Sequence, residues 1–166
     1  MKIQYSYLKN FLNTKLSQKK LSDVFTQVGF ECEIQRDLIE FDITPNRGDV
    51  LSLKGLEREF YAYQSTRPSR KLETSSLKLI KDKTVIDQID AFGCGNYHLM
   101  LVQGLQKINN LDAKKLSFIE SAGIPLINPL VDLGNYVMLE LGAPMHVFDL
   151  AKLDLPINVH FPQDKN

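Results

Sequence analysis

The chain has 166 residues, 43% of them hydrophobic and 24% charged, which excludes a disordered chain and suffices for a core without disulfide staples. Its 20 Lys+Arg balance 20 Asp+Glu, and that zero net charge argues against a stand-alone nucleic-acid binder driven by charge. Cys32 and Cys94 lack C-x-x-C spacing and read as free thiols in a reducing compartment; the N-terminus has no signal-like apolar core, and no run of about 18 uncharged apolar residues occurs, so a cytoplasmic protein is expected.

Along the chain, "YSYLKNFL" sets Tyr5, Leu8, Phe11 and Leu12 at helical spacing. A second helix begins behind Ser17, with Leu21, Val24, Phe25 and Val28 on one face and Gly29 as its left-handed stop. In "FECEIQRDLIEFDIT", Phe30, Cys32 and Ile34, then Ile39, Phe41 and Ile43, alternate about an Arg36-Asp37 turn, the pattern of a β-hairpin. "TPNRGD" predicts a tight turn, with Pro45 fixing φ and Asn46 or Gly48 taking a left-handed conformation. A helix follows over about residues 50–63, its stripe Leu53, Leu56, Phe60 and Tyr63. The polar, Pro-containing stretch over 67–76 is the predicted linker between a module at 1–66 and one at 77–166.

In the second module, "LKLI" and "TVIDQI" read as short strand-like or mixed runs, "CGNYHLMLVQGLQ" as a stronger strand candidate and "LPINVHF" as a strand. A helix is expected between Asp112 as N-cap and Gly123 as stop, and another from Pro129 to Leu141. The fold class that results is α+β in two small modules: helices and a hairpin, then a partial mixed α/β domain.

Two stretches carry chemistry. In "TPNRGD", Arg47 and Asp49 stand at a helix entrance, where Asp49 can cap backbone amides and pair with Arg47; the alternative is an arginine presented to phosphate or to a partner. In "NPLVDLGNYVMLELGAPMHVFD", Leu130, Leu133, Val137 and Leu141 form the expected core face, with Asn135 at its border. Gly142 ends that helix, Pro144 prevents its resumption, and His146 emerges beyond, so that Asn135 and His146 can converge on one small polar pocket; satisfied packing at the core edge is the competing reading. No G-x-G-x-x-G, P-loop, H-x-x-x-H or G-x-S-x-G motif occurs, and His98, His146 and His160 have no ligand spacing, so no metal site is expected.

Together and in this order, these stretches resemble the beta subunit of bacterial phenylalanine–tRNA ligase. "TPNRGDVLSLKGLERE" (Thr44 to Glu59) is similar to that family's T-P-N-R-x-D-x-L-S-x-x-G-x-A-R-E, and "VDLGNYVMLELGAPMHVFD" (Val131 to Asp149) to V-D-x-T-N-Y-V-M-L-E-L-G-Q-P-M-H-A-F-D. The N-terminus and "CGNYHLMLVQGLQ" resemble the same subunit. Gly134, Ala143, Pro125 and Asn96 stand where the family carries Thr, Gln, Arg and Arg.

The resemblance implies a fragment or shortened form of that subunit: an N-terminal part with the first half of the editing domain, without the inserted OB-fold that binds tRNA. It implies a structural and editing-related role in protein biosynthesis beside an alpha subunit, with Asn135 and His146 as editing-pocket candidates that orient an ester and its attacking water. Editing is needed because an apolar pocket rejects an added hydroxyl poorly. Aminoacylation, with its ATP and Mg, belongs by the same resemblance to the alpha subunit, so no cofactor is expected on this chain. Weak contact with the phenylalanine tRNA, a non-enzymatic RNA- or protein-binding remnant, and a free-standing hydrolase of mischarged Tyr-tRNA complete the set of readings.

Overall fold

The computed structural model describes residues 1–67, 97–102, 104–105 and 108–160, and the backbone of 86–89. The elements are β1 (Lys2–Gln4), α1 (Tyr5–Phe11), α2 (Gln18–Gln27), β2 (Glu31–Gln35), β3 (Leu38–Asp42), a 3-10 turn (Pro45–Val50), α3 (Leu53–Tyr63), β4 (Ile86–Ile89), α4 (Ala113–Ser121), α5 (Pro129–Leu141), a second 3-10 turn (Leu150–Lys152) and β5 (Ile157–Val159). The class is α+β, as the patterning predicts.

β2 and β3 form the expected hairpin, with Arg36 at φ 57° in its turn and Ile34 opposite Ile39. A third strand joins it: β1 lies antiparallel on the other side of β3, Ile3 opposite Ile39, so the order is β1-β3-β2. Three residues are too few to show alternation, which is why β1 has no sequence signal. Ile3, Ile39 and Phe41 are buried, whereas Ile34 near the hairpin tip is 44% exposed, against its expected inward place. The helices cover the inner face of the sheet. Ser17 accepts a hydrogen bond from the Lys20 amide at the start of α2, and Gly29 at φ 99° follows its end. Phe25 of α2 meets Phe41 edge-on, centroids 5.1 Å apart. α3 adds Leu53, Leu56 and Phe60 to this core, while Tyr63, expected on the same stripe, is 46% exposed and reaches Gln27 through its hydroxyl.

The chain divides into two compact units, and the division is discontinuous. One gathers Met1–Leu72 with Ile108–Val147, the other Glu73–Lys107 with Phe148–Asn166. The first break falls inside the expected 67–76 linker, but α4 and α5, expected in a second module over 77–166, pack into the N-terminal one. The cause is aromatic. Phe118 and Ile119 of α4 are fully buried, and Phe118 stacks on Tyr7 of α1 with centroids 4.4 Å apart. Gln4 donates to the Ser117 hydroxyl at 2.9 Å, and Tyr7 donates to the Tyr136 hydroxyl at 3.2 Å. An aromatic side chain withdrawn from water contributes about 2–3 kcal/mol, and nothing in local spacing reports which distant element supplies its cover.

In the second unit β4 and β5 pair in parallel, Ile86 opposite Ile157 and Ile89 opposite Val159. The segment over 97–102, expected as the strongest strand, joins no ladder among the described residues, and Met100 there is 66% exposed. Its alternation records a capacity to pair without supplying the neighbour that pairing needs. "LKLI", the start of "TVIDQI" and Cys94 lie outside the described residues.

Candidate functional site around the fifth helix

The "TPNRGD" turn differs from expectation in one respect and agrees in another. Neither Asn46 nor Gly48 is left-handed: Pro45 opens a 3-10 turn that kinks at Arg47, at φ −114° and ψ 40°. Asp49 does not cap α3; the Ser52 hydroxyl does, accepting from the Gly55 amide at 3.1 Å. Gly55 is obligatory for this geometry, because a Cβ there would lie 2.2 Å from the Asp49 carbonyl oxygen and 2.6 Å from the Val50 Cα. The expected pairing of Arg47 with Asp49 does form. The Arg47 Nε donates to Asp49 at 3.0 Å, and its Nη2 to Asp49 at 3.2 Å and to Glu59 at 2.9 Å, with the guanidinium 5.1 Å from the Phe30 ring centre. Arg58 closes the network by donating to both Asp49 and Glu59. The hydrogen bond from Arg47 holds the Asp49 carboxyl below its ordinary range and raises the guanidinium in turn. A guanidinium forked between two carboxylates and lying on a ring is built as a clamp between the turn and α3, rather than as a docking point for phosphate.

α5 is bounded as predicted. The Asn128 side-chain oxygen accepts from the Leu130 and Val131 amides, both at 3.1 Å, and Pro129 occupies the first helical position. Asp132 is buried, and its carboxylate accepts the Ile127 amide at 2.9 Å, pinning the incoming loop against the helix start. This role was not legible beforehand; the available signal was an acidic residue in the first turn after an Asn-Pro start. At the other end Gly142 is left-handed, at φ 77° and ψ 18°, and lies close to Ser52.

The buried face of α5 is not the one expected. Asp132, Gly134 and Leu139 are buried, and Tyr136 packs against the core, whereas Leu133 and Leu141 are each 41% exposed. The helix is apolar nearly all round, so periodicity had no polar face to exclude. Aromatic partners made the choice. The Phe118 ring meets Tyr136 edge-on, the Lys115 ammonium lies 5.6 Å from the centre of the Tyr136 ring, and burial with the Glu140 contact drives the Tyr136 hydroxyl far above its ordinary pKa.

Beyond Gly142 the chain turns back along the helix, so that the Met145 carbonyl lies 3.9 Å from where a Cβ on Gly134 would stand. Asn135 and His146 are the next residues on the two facing segments. Asn135 is half-buried and makes no side-chain hydrogen bond among the described residues; His146 stands on an exposed stretch. Among the described residues no group of three or more His, Cys, Asp or Glu is placed to hold a metal ion. Burial pushes the free thiol of Cys32 up to about 11, which keeps it a thiol at neutral pH.

A family model described as the B3/4 domain matches residues 93–166. Among curated relatives, the phenylalanine–tRNA ligase beta subunit of Colwellia psychrerythraea is 39% identical over 123 residues, covering 74% of this chain and 15% of the relative. Those of Francisella tularensis and Legionella pneumophila are 36% and 32% identical, over 85% and 89% of this chain and 18% and 20% of theirs. The chain thus spans about 15–20% of the length of these relatives.

Proposed function

We propose, from the premise that this chain belongs to the phenylalanine–tRNA ligase beta-subunit family, that it serves as a structural and editing-related part of an assembly with the alpha subunit. The observation that carries the proposal is the kinship itself, 32–39% identity over about three quarters or more of the chain. The turn at Gly142, which folds the His146 segment back along the helix bearing Asn135, supports the assignment of those two residues to an editing pocket. In that role the Asn135 amide, with its hydrogen-bonding groups uncommitted, orients the ester of a mischarged tRNA. The His146 imidazole hydrogen-bonds the tyrosyl moiety or terminal ribose and helps to hold the attacking water. Neither residue acts as a nucleophile. The alpha subunit is the proposed partner and the phenylalanine tRNA the proposed ligand, in the cytoplasm; no helix among the described residues is long and apolar enough to cross a membrane.

Coexpression with a tagged alpha subunit tests the assembly role, with co-purification expected and its absence sinking it. Hydrolysis of tyrosylated phenylalanine tRNA by the co-purified complex tests the pocket: His146→Ala should slow deacylation at least tenfold without loss of the complex. A second reading, a binding remnant that keeps the scaffold without hydrolysis, draws on the openness of the stretch over 141–150, which is exposed throughout. Complex formation with deacylation at the background rate would favour it.

A further inference from the structure

The two stretches that carry chemistry meet at one contact, between Ser52 at the entrance to α3 and Gly142 at the end of α5. A Cβ on Gly142 would stand 3.3 Å from the Ser52 hydroxyl oxygen and 3.4 Å from the Ser52 Cβ, so the Gly142 turn faces that side chain with no spare room. Ser52 is itself held from behind. It is buried, and its hydroxyl accepts the Gly55 amide at 3.1 Å. Gly55 in turn lies against the backbone of Asp49 and Val50 so closely that no side chain fits between them. The Arg47 guanidinium, forked between Asp49 and Glu59, ties that backbone to α3. With its hydroxyl and its flanking backbone both committed, Ser52 is a fixed point against which the neighbouring turn is set.

That turn decides where His146 stands. The returning segment approaches its surroundings at two places: Gly142 against Ser52, and the Met145 carbonyl over Gly134, 3.9 Å from where a Cβ would be. Asn135 directly follows Gly134, and His146 directly follows Met145. A shift at Gly142 is therefore passed within four residues to the spacing between Asn135 and His146. On a stretch exposed from 141 to 150, each such contact carries more weight than it would in a core.

We infer that Ser52 is a positioning residue: it seats the Gly142 turn and thereby sets His146 relative to Asn135. The consequence for hydrolysis rests on the editing role proposed above; the consequence for the segment does not. Seating and capping can be told apart, because they make opposite demands on residue 52. Glycine is tolerated as a helix cap but has no Cβ, whereas alanine keeps the Cβ that faces Gly142 and caps poorly. Thermal unfolding of the full chain should therefore rank Ser52→Gly above Ser52→Ala.

Backbone order should rank the two variants the other way. NMR order parameters at Met145, His146 and Val147 should fall below about 0.6 in Ser52→Gly and stay near wild type in Ser52→Ala. A segment already that flexible in the wild type, or one unchanged in Ser52→Gly, would overturn the seating. So would a parallel ranking, in which the less stable Ser52→Ala is also the more mobile at the segment, since Ser52 would then act only through α3. In the co-purified complex with the alpha subunit, kcat for hydrolysis of tyrosylated phenylalanine tRNA should fall roughly tenfold or more in Ser52→Gly, with KM little changed and Ser52→Ala near wild type. A wild-type complex without that hydrolysis removes the editing role, and the order parameters then decide the seating alone. A hydrolysing complex indifferent to Ser52→Gly keeps the editing role and overturns the positioning of His146 by Ser52.

Discussion

Gly55 and Gly48 stand seven residues apart in one motif, yet physical chemistry treats them oppositely. A Cβ at Gly55 runs into the backbone at Asp49 and Val50, which cannot move without dismantling the turn; at Gly48 nothing lies within 4 Å. Gly55→Ala should cost about 3 kcal/mol or more by forced displacement of packed backbone, whereas Gly48→Ala should fall within about 0.5 kcal/mol of wild type, both read as urea midpoints. Cys32 gives a prediction in pH. Its pKa rises to about 11 in the fold, chiefly through burial, from about 8.5 in an unfolded chain. Below the unfolded value the thiol is neutral in both states. As pH climbs from about 8.5 toward 11, the unfolded chain ionises first, so this group's contribution to stability is lost across that window. The midpoint difference between wild type and Cys32→Ala should therefore shift against wild type between pH 8 and pH 10, and a difference that stays flat contradicts the assignment.

At the scale of elements, α5 separates what sequence reports from what it does not. Its ends were legible because each is a chemical event: an Asn side chain caps the first amides, Pro occupies the first turn, and a left-handed Gly stops the helix before Pro144. Asn128→Ala should cost about 1 kcal/mol. Gly142→Ala should cost about 1–2 kcal/mol, since a side chain is strained at φ 77° and Ser52 stands close by. The thermal midpoints of the two variants would report both. Its buried side was not legible, because leucine and valine occur all round it and the choice was made by Tyr7, Phe118 and Lys115, far away in sequence. The same division runs through the rest of the fold. The Arg47–Asp49 pair followed from two residues in one turn. The ties to Glu59 and Phe30 required the folded chain, as did the Asp132 anchor for the loop before α5. For the candidate site, the return of the chain past Gly142 was readable from Gly and Pro, while the exposure of the His146 stretch was not.

For the molecule as a whole, the aromatic contacts of α4 and α5 make one cooperative body from two distant stretches of chain. Phe118 is fully buried between α1 and α5, so Phe118→Ala should destabilise by about 3–5 kcal/mol. The loss should be felt as much in the N-terminal sheet as in α4 itself. Hydrogen exchange provides the measurement: amides of β3 and of α4 should lose protection together. If β3 keeps its protection while α4 loses it, the two stretches are separate folding units.

That discontinuity also sets the order of events during synthesis. About 75 residues separate Leu72 from Val147, so at roughly 5–20 residues per second the N-terminal unit waits on the order of 4–15 s for the stretch that completes it. Until then Tyr7 and the start of α1 have no Phe118 to lie on. The unit that starts first thus stays incomplete while the intervening stretch is made, and a pause in translation between its two stretches would prolong the exposure of its aromatic surface to aggregation and to chaperones.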